Sequence, residues 1–325
     1  MRIRVSWIVS WGRSLLLLPG LVVLAGPASA VTIDRVLVGD PGNAADTAGN
    51  CFAANCGSVA DPYLISKYEV TNAQYAEFLN AKAAADPLGL YNTFMGRTTQ
   101  GGITRSGSPG SYTYAVKTGF ADKPVNWVSF YDALRFTNWL NNGRGGADTE
   151  TGAYTLLGGT ATPNPGAIVF LPSENEWYEA AYFNGTTYLD YPAGSNAATV
   201  CAAPGATPNT ANCRLAAGGV TDVGAYTGSA SPYGTFDQGG NVFEWNEQMS
   251  GSNRGVRGGS WSNSAGARPA LRGERRCLAR AAAGLVSAAR RAAPRSLRAS
   301  CRRAGPLWRV RRPECPRAAH RGSGW

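Results

Sequence analysis

The 325-residue sequence predicts an irregular α+β domain with few short helices and strands and long connecting loops. Three observations carry that class. Three times, a short apolar run leads into a Ser or Thr followed by a helical pattern, the grammar of a strand entering a capped helix. Between those units, residues 85–122, 141–166 and 184–232 are rich in Gly, Asn, Thr and Ala and hold no sustained period, so the domain has to fold around unusually long loops. Near the far end, Tyr233–Trp245 and Arg254–Trp261 combine glycine pairs with tryptophans, large anchors that favour a core.

In chain order, Arg2, Arg4 and Arg13 precede or flank an apolar run, Leu15–Ala25, and Pro27-Ala28-Ser29-Ala30 follows. A charged start, a short apolar stretch and an A-x-A site predict an export signal over residues 1–30, cleaved after Ala30. The run is too short to cross a bilayer comfortably, so no membrane span is expected after cleavage and the protein is expected to be periplasmic or extracellular. Residues 31–266 hold 12 Lys/Arg against 19 Asp/Glu, whereas 267–325 hold 16 Arg against two Glu. The body is therefore acidic and offers no basic face interleaved with aromatics, which excludes nucleic acid as its partner. Export permits disulfides. Cys51 with Cys56, and Cys201 with Cys213, each close a short loop and are expected to pair.

Residues 31–62 form a lead-in with a first strand within Val31–Val38. Tyr63–Val70 alternates as a half-buried strand does, and Thr71-Asn72-Ala73-Gln74 is a capping box, with Tyr75, Phe78 and Leu79 continuing at helical spacing. Pro124–Val128 leads to a Ser129 cap with Asp132 in the first turn, then Leu134, Phe136, Trp139 and Leu140. Ala167–Pro172 leads to a third box, Ser173-Glu174-Asn175-Glu176, then Trp177, Ala180, Ala181 and Tyr182. Asp132, Glu174 and Glu176 suit helix starts, where acids favour the dipole, and Glu179 reads as a surface acid.

In Asp237-Gln238-Gly239-Gly240-Asn241-Val242-Phe243-Glu244, the glycine pair predicts a turn with positive φ. Asp237, Asn241 and Glu244 then offer oxygens close together, which suits a hard cation such as calcium. The plain alternative is a polar turn whose acids face water.

Five segments, in order, resemble the formylglycine-generating enzyme family, the sulfatase-modifying factors: Ser66–Tyr75, Lys123–Ser129, Leu171–Tyr178, Gly240–Trp245 and Arg257–Trp261. The resemblance implies a loop-rich α+β fold related to C-type lectins over residues 63–267. It also implies a structural calcium held by the side chains of Asp237 and Glu244 and the carbonyls of Gly240 and Val242. Members that oxidise a sulfatase cysteine to formylglycine hold copper on two cysteines, and the matching positions here are Asn263 and Arg268. Neither can be a thiolate, so no copper is expected. A related branch uses histidine-ligated iron, but the single histidine is His320, so no iron is expected either. Ser260 and Ser262 have no histidine in the body to activate them. The resemblance thus implies an exported member without oxidase activity, a calcium-stabilised scaffold that binds a glycan, a peptide or an envelope component. The alternative is the family's oxidase. Trp245, Arg254, Arg257, Ser260 and Trp261 are expected to shape a cleft, with Arg257 pairing Glu244 or Asp237.

After Ala267 the composition turns to Arg and Ala, and the family's closing strand is missing. Residues 268–325 are expected to lie outside the fold as a disordered tail, either a basic segment for an anionic polymer or GC-rich DNA read in a shifted frame.

Overall fold

Three hydroxyl side chains start three helices in the computed structural model of the chain. Thr71 caps α1 (Asn72–Lys82), accepting from the Gln74 amide while the Gln74 side chain accepts from the Thr71 amide at 2.8 Å. Ser129 caps α3 (Phe130–Asn141), accepting from the Asp132 amide. Ser173 and Glu176 close a second capping box on α4 (Glu174–Tyr182). A single turn, α2 (Phe94–Arg97), precedes α3. The structure describes residues 32–47, 51, 55–157, 162–250 and 253–263, and the backbone of three later strands within 270–290. All of them belong to one compact unit ending at Arg290.

The strands are short. β1 (Arg35–Val38) pairs antiparallel with β2 (Tyr63–Ser66), Val38 opposite Tyr63. β3 (Ile103–Ser106) and β4 (Thr113–Val116) form a hairpin inside a stretch expected to be irregular. β5 (Val200–Cys201) and β6 (Thr210–Ala211) make a two-residue parallel pair. β7 (Phe243–Ser250) and β8 (Asn253–Arg257) form the main hairpin, with β9 (Ala270–Gly273) beside β8 and β10 (Ala281–Ala282) beside β7. β11 (Ala289–Arg290) joins β2.

Two expectations change here. Pro124–Val128 and Ala167–Pro172 are not strands: Pro124 makes one isolated bridge with Thr71, through Val125 donating to Val70 O and Asn72 to Lys123 O, both at 2.9 Å, and Glu247 donates to Pro172 O at 3.0 Å, ties too few for a ladder. A proline at one end of each run removes a ladder donor. Strand pairing also continues past residue 267, where the expected domain ended, since β9 lies antiparallel to β8. A ladder is made of backbone groups, so Ala-Leu-Arg-Gly can extend it without an apolar period. The export signal and most of the tail fall outside the described residues.

The core lies between α1 and α3. Phe78 meets Phe136 edge-on at 5.4 Å and Trp139 at 5.4 Å, and Tyr75 meets Phe136 at 5.6 Å. Trp177 and Trp245 are fully buried in the same cluster. The lead-in straps across α4: the Tyr178 hydroxyl donates to Asp46 Oδ2 at 2.5 Å, Asn43 Nδ2 to the Tyr188 hydroxyl at 2.7 Å, and the Gly57 amide to Asn175 Oδ1 at 3.1 Å. Both expected disulfides are present, Cys51–Cys56 and Cys201–Cys213, with Cα atoms 5.7 and 4.9 Å apart.

Candidate functional site

The turn at Asp237–Asn241 is built differently from its expectation. Positive φ falls on Asp237 (65°) and Asn241 (54°), and not on the glycine pair. The glycines are needed for close approach: a Cβ on Gly240 would run into the Asn212 carbonyl, and one on Gly239 would sit 2.9 Å from the Pro192 ring. Asn and Asp tolerate the left-handed region better than other residues with a side chain, which frees the glycines for this packing.

Asn241 is the hub. Its amide donates to Asn212 O at 2.9 Å, and its Oδ1 accepts from Asn212 Nδ2 and the Thr221 amide, both at 3.0 Å. Its Nδ2 donates to Glu69 Oε2 at 2.7 Å, while the Val242 amide donates to Glu69 Oε1 at 3.1 Å. Glu69, at the end of the Tyr63–Val70 run, was not singled out from sequence; its only signal was its place in the segment Ser66–Tyr75. Burial, and then the negative charges of Asp237 and Glu244, push its carboxyl well above the usual range. Asp237 Oδ2 accepts from the Gly224 amide at 2.6 Å, and burial raises its carboxyl to about 6. Glu244 Oε2 accepts from the Trp177 indole at 2.5 Å.

Three carboxyls therefore share one interior. Asp237 also lines a cavity of about 10 Å³, together with Gln238, Gly240 and Asn212 among others. That is room for one water-sized occupant. Asn212 Oδ1 is buried without a hydrogen-bond partner. Carboxylate, amide and carbonyl oxygens with no nitrogen or sulfur suit a hard cation, so the residues fit calcium by donor type. Among the described residues no group of three or more His, Cys, Asp or Glu side chains is arranged to hold a metal, so any such site has to draw on backbone and amide oxygens.

Of the five residues expected to line a cleft, Trp245, Arg254, Arg257 and Ser260 are buried and Trp261 is half-buried. Trp245 is fully buried, donates to Val128 O at 3.1 Å and meets Phe130 edge-on at 5.8 Å. Arg254 lies 5.0 Å over Phe130 and donates to the Tyr131 hydroxyl at 3.0 Å. Arg257 is 2% exposed, and its fork closes on Glu174, with Nε 2.8 Å from Oε2. That pairing replaces the expected ones with Glu244 or Asp237. The guanidinium also lies over Trp177 and Tyr178. Arg257 stands opposite Glu244 across β7–β8, but α4 brings Glu174, in its first turn, to the guanidinium. Ser260 is buried and donates to Asn263 Oδ1 at 2.5 Å. Trp261 packs half-buried on Val220 and Val242. Glu174, Glu176 and Glu179 are likewise buried, not surface acids.

Of the two positions that match copper cysteines, Asn263 is half-buried and Arg268 lies outside the described residues. Asn263 accepts from Ser260, and its carbonyl accepts from the Arg214 amide at 2.8 Å.

The chain's relatives can now be set beside this geometry. The serine/threonine-protein kinase pkn1 of Chlamydia caviae is 24% identical over 189 residues, covering 58% of this chain and 23% of that protein, so this chain spans about a quarter of that relative's length. Among solved structures, CarF superposes with a TM-score of 0.50 at 22% identity, covering 79% of this chain and 98% of CarF. PvdO from Pseudomonas aeruginosa gives a TM-score of 0.42 at 15% identity, covering 78% and 91% of the two chains. CarF supports the fold alone. The model of the sulfatase-modifying factor enzyme 1-like domain matches residues 22–284, and the chain belongs to that family.

Proposed function

We propose that this chain is an exported member of its family that keeps the scaffold without the oxidase reaction, stabilised by calcium and serving to bind a glycan, peptide or envelope component. The observation that carries the reading is Asn263. It stands where the resemblance calls for a thiolate, and its amide is engaged by Ser260. Copper(I) needs soft sulfur, which an amide oxygen cannot replace. Cys51, Cys56, Cys201 and Cys213 are held in disulfides. No helix among the described residues is long and apolar enough to cross a membrane, which agrees with an exported protein. The test is incubation of the full chain with a cysteine peptide of sulfatase type, copper and oxygen, followed by mass spectrometry. Unchanged peptide is expected, and aldehyde formation would establish the oxidase instead.

Calcium at Asp237, Gly240, Val242 and Glu244 is part of the same proposal. Its support is the grouping of Asp237 and Glu244 around Glu69, whose carboxyl both charges push up, and the one-occupant cavity that Asp237 lines. A ligand that binds the folded state alone raises stability. Chelator is expected to lower the melting temperature, and Glu244→Ala to remove that sensitivity. A melt indifferent to chelator would remove calcium from the proposal.

A further inference from the structure

The loop stapled by Cys201–Cys213 carries a pocket far larger than the one under the Gly-Gly turn. It encloses about 490 Å³, with Tyr191, Ala198, Val200, Arg214 and Ala216 on its walls. That volume is in the range of small-molecule sites. The walls are held by strained backbone. Asn209, Arg214 and Leu215 all have positive φ, at 56°, 47° and 65°. Such conformations persist only where surrounding structure imposes them, and they gather at binding sites. Here the restraints are visible. Asn209 Nδ2 donates to Ala197 O and Ala198 O, while the Arg214 and Leu215 amides donate to Asn263 O and Trp261 O at 2.8 and 2.7 Å.

The chemistry inside is one-sided. Among the described residues no carboxylate lines the pocket. Both Arg214 and Tyr191 line it, and among the described residues the Arg214 guanidinium has no ion-pair partner and the Tyr191 hydroxyl no hydrogen-bond partner, so two donors are free for a ligand. The same pocket is lined by Ala198, Ala216 and Val200, which is 59% exposed. An exposed, unpaired arginine on a body with 19 acids and 12 bases between residues 31 and 266 is where an anion would be drawn.

We propose that this pocket binds a small organic carboxylate: the carboxylate forks onto Arg214 with Tyr191 donating beside it, and an apolar or CH-rich face lies against Val200 and Ala216. It deepens the binding-scaffold reading, and rests on it only in that the domain binds. Its failure would leave the peptide-oxidation and chelator results untouched.

The experiment is a titration of the full chain with phenylacetate, followed by amide chemical shifts. Phenylacetamide and inorganic phosphate serve as probes of charge and of the apolar face. Saturable shifts at residues 198–216 are expected with phenylacetate, at least ten-fold weaker binding with phenylacetamide, and weaker binding with phosphate. Arg214→Gln should weaken phenylacetate at least ten-fold, and Val200→Trp should block it by filling the space. Both side chains are exposed, so an unchanged melting curve checks that each variant folds. Absence of saturable shifts, equal affinity for phenylacetamide, equal affinity for phosphate, or an Arg214→Gln variant that binds as the native chain does would each overturn the proposal.

Discussion

The α1–α3 core and the interior beneath the Gly-Gly turn are both fully buried, yet they are built by opposite means. The first is aromatic: Phe78, Phe136, Trp139 and Tyr75 meet ring to ring at 5.3 to 5.8 Å. The second is polar, with Glu69, Asn241, Glu244, Glu174 and Arg257 each at most 8% exposed. Burying apolar rings is favourable wherever they fit, whereas burying charge is tolerable only when each group finds its partner. The aromatic core should therefore lose stability roughly in proportion to what is removed. The polar interior should fail according to which partner is left behind.

The largest expected effect tests the aromatic side. Trp139→Ala should cost about 4 kcal/mol in denaturant unfolding, the range for a buried aromatic removed from a packed core. A cost below about 1 kcal/mol would mean that this cluster does not hold the domain. Next comes the charged pair. Glu174→Ala should cost about 3 kcal/mol because it strips Arg257 of its forked partner, and adding Arg257→Met should restore part of that loss. Strict additivity of the two changes would break the contrast drawn here.

A smaller effect concerns pH. Burial raises the Glu179 carboxyl from 4.5 to about 8, so the folded state holds a proton that the unfolded chain releases. The stability this proton supplies is complete below about 4.5 and is lost as pH rises through about 8. Glu179→Gln should match the native melt near pH 4.5 and exceed it by a few degrees at pH 8.5. Equal melts at both would show that Glu179 ionises freely. The smallest is a cap: Thr71→Ala should cost about 1 kcal/mol, read as a lower melting temperature of a few degrees.

This contrast also explains what could be read from the chain before its structure. Caps and helical faces are local, so Thr71, Ser129 and Ser173 announce their helices within four residues. Cysteines close in sequence announce their bridges. The polar interior is assembled across distance: Asn241 reaches Glu69, 172 residues away, and Arg257 reaches Glu174, 83 away. No periodicity encodes such a choice. Arg257 stands opposite Glu244 in the hairpin, and only the placement of α4 under that hairpin selects Glu174. The burial of three expected cleft residues has the same origin. Trp245, Arg254 and Arg257 have side chains suited to holding a ligand, but the β7–β8 hairpin turns them inward. The pocket by Cys201–Cys213 gave no signal either, since its walls come from residues 191, 198–201, 214 and 216, which no short motif joins.

The strap that the lead-in lays over α4 has a consequence for how the chain is born. Asp40 accepts from Tyr233, 193 residues later, and Asp46 from Tyr178, 132 residues later. A chain emerging from its N-terminus, whether from a ribosome or a narrow translocation channel, presents these acids long before their tyrosines exist outside. Helices α1 and α3 can form early from local contacts, and β1 can pair with β2 once both are out, but the side-chain latches at Asp46 and Asp40 have to wait for Tyr178 and Tyr233. The latches of the first segment therefore close late, and contacts of such span are slow to form. The early portion has to wait unlatched, and the small, polar lead-in, with little apolar surface for a neighbour to seize, is suited to waiting.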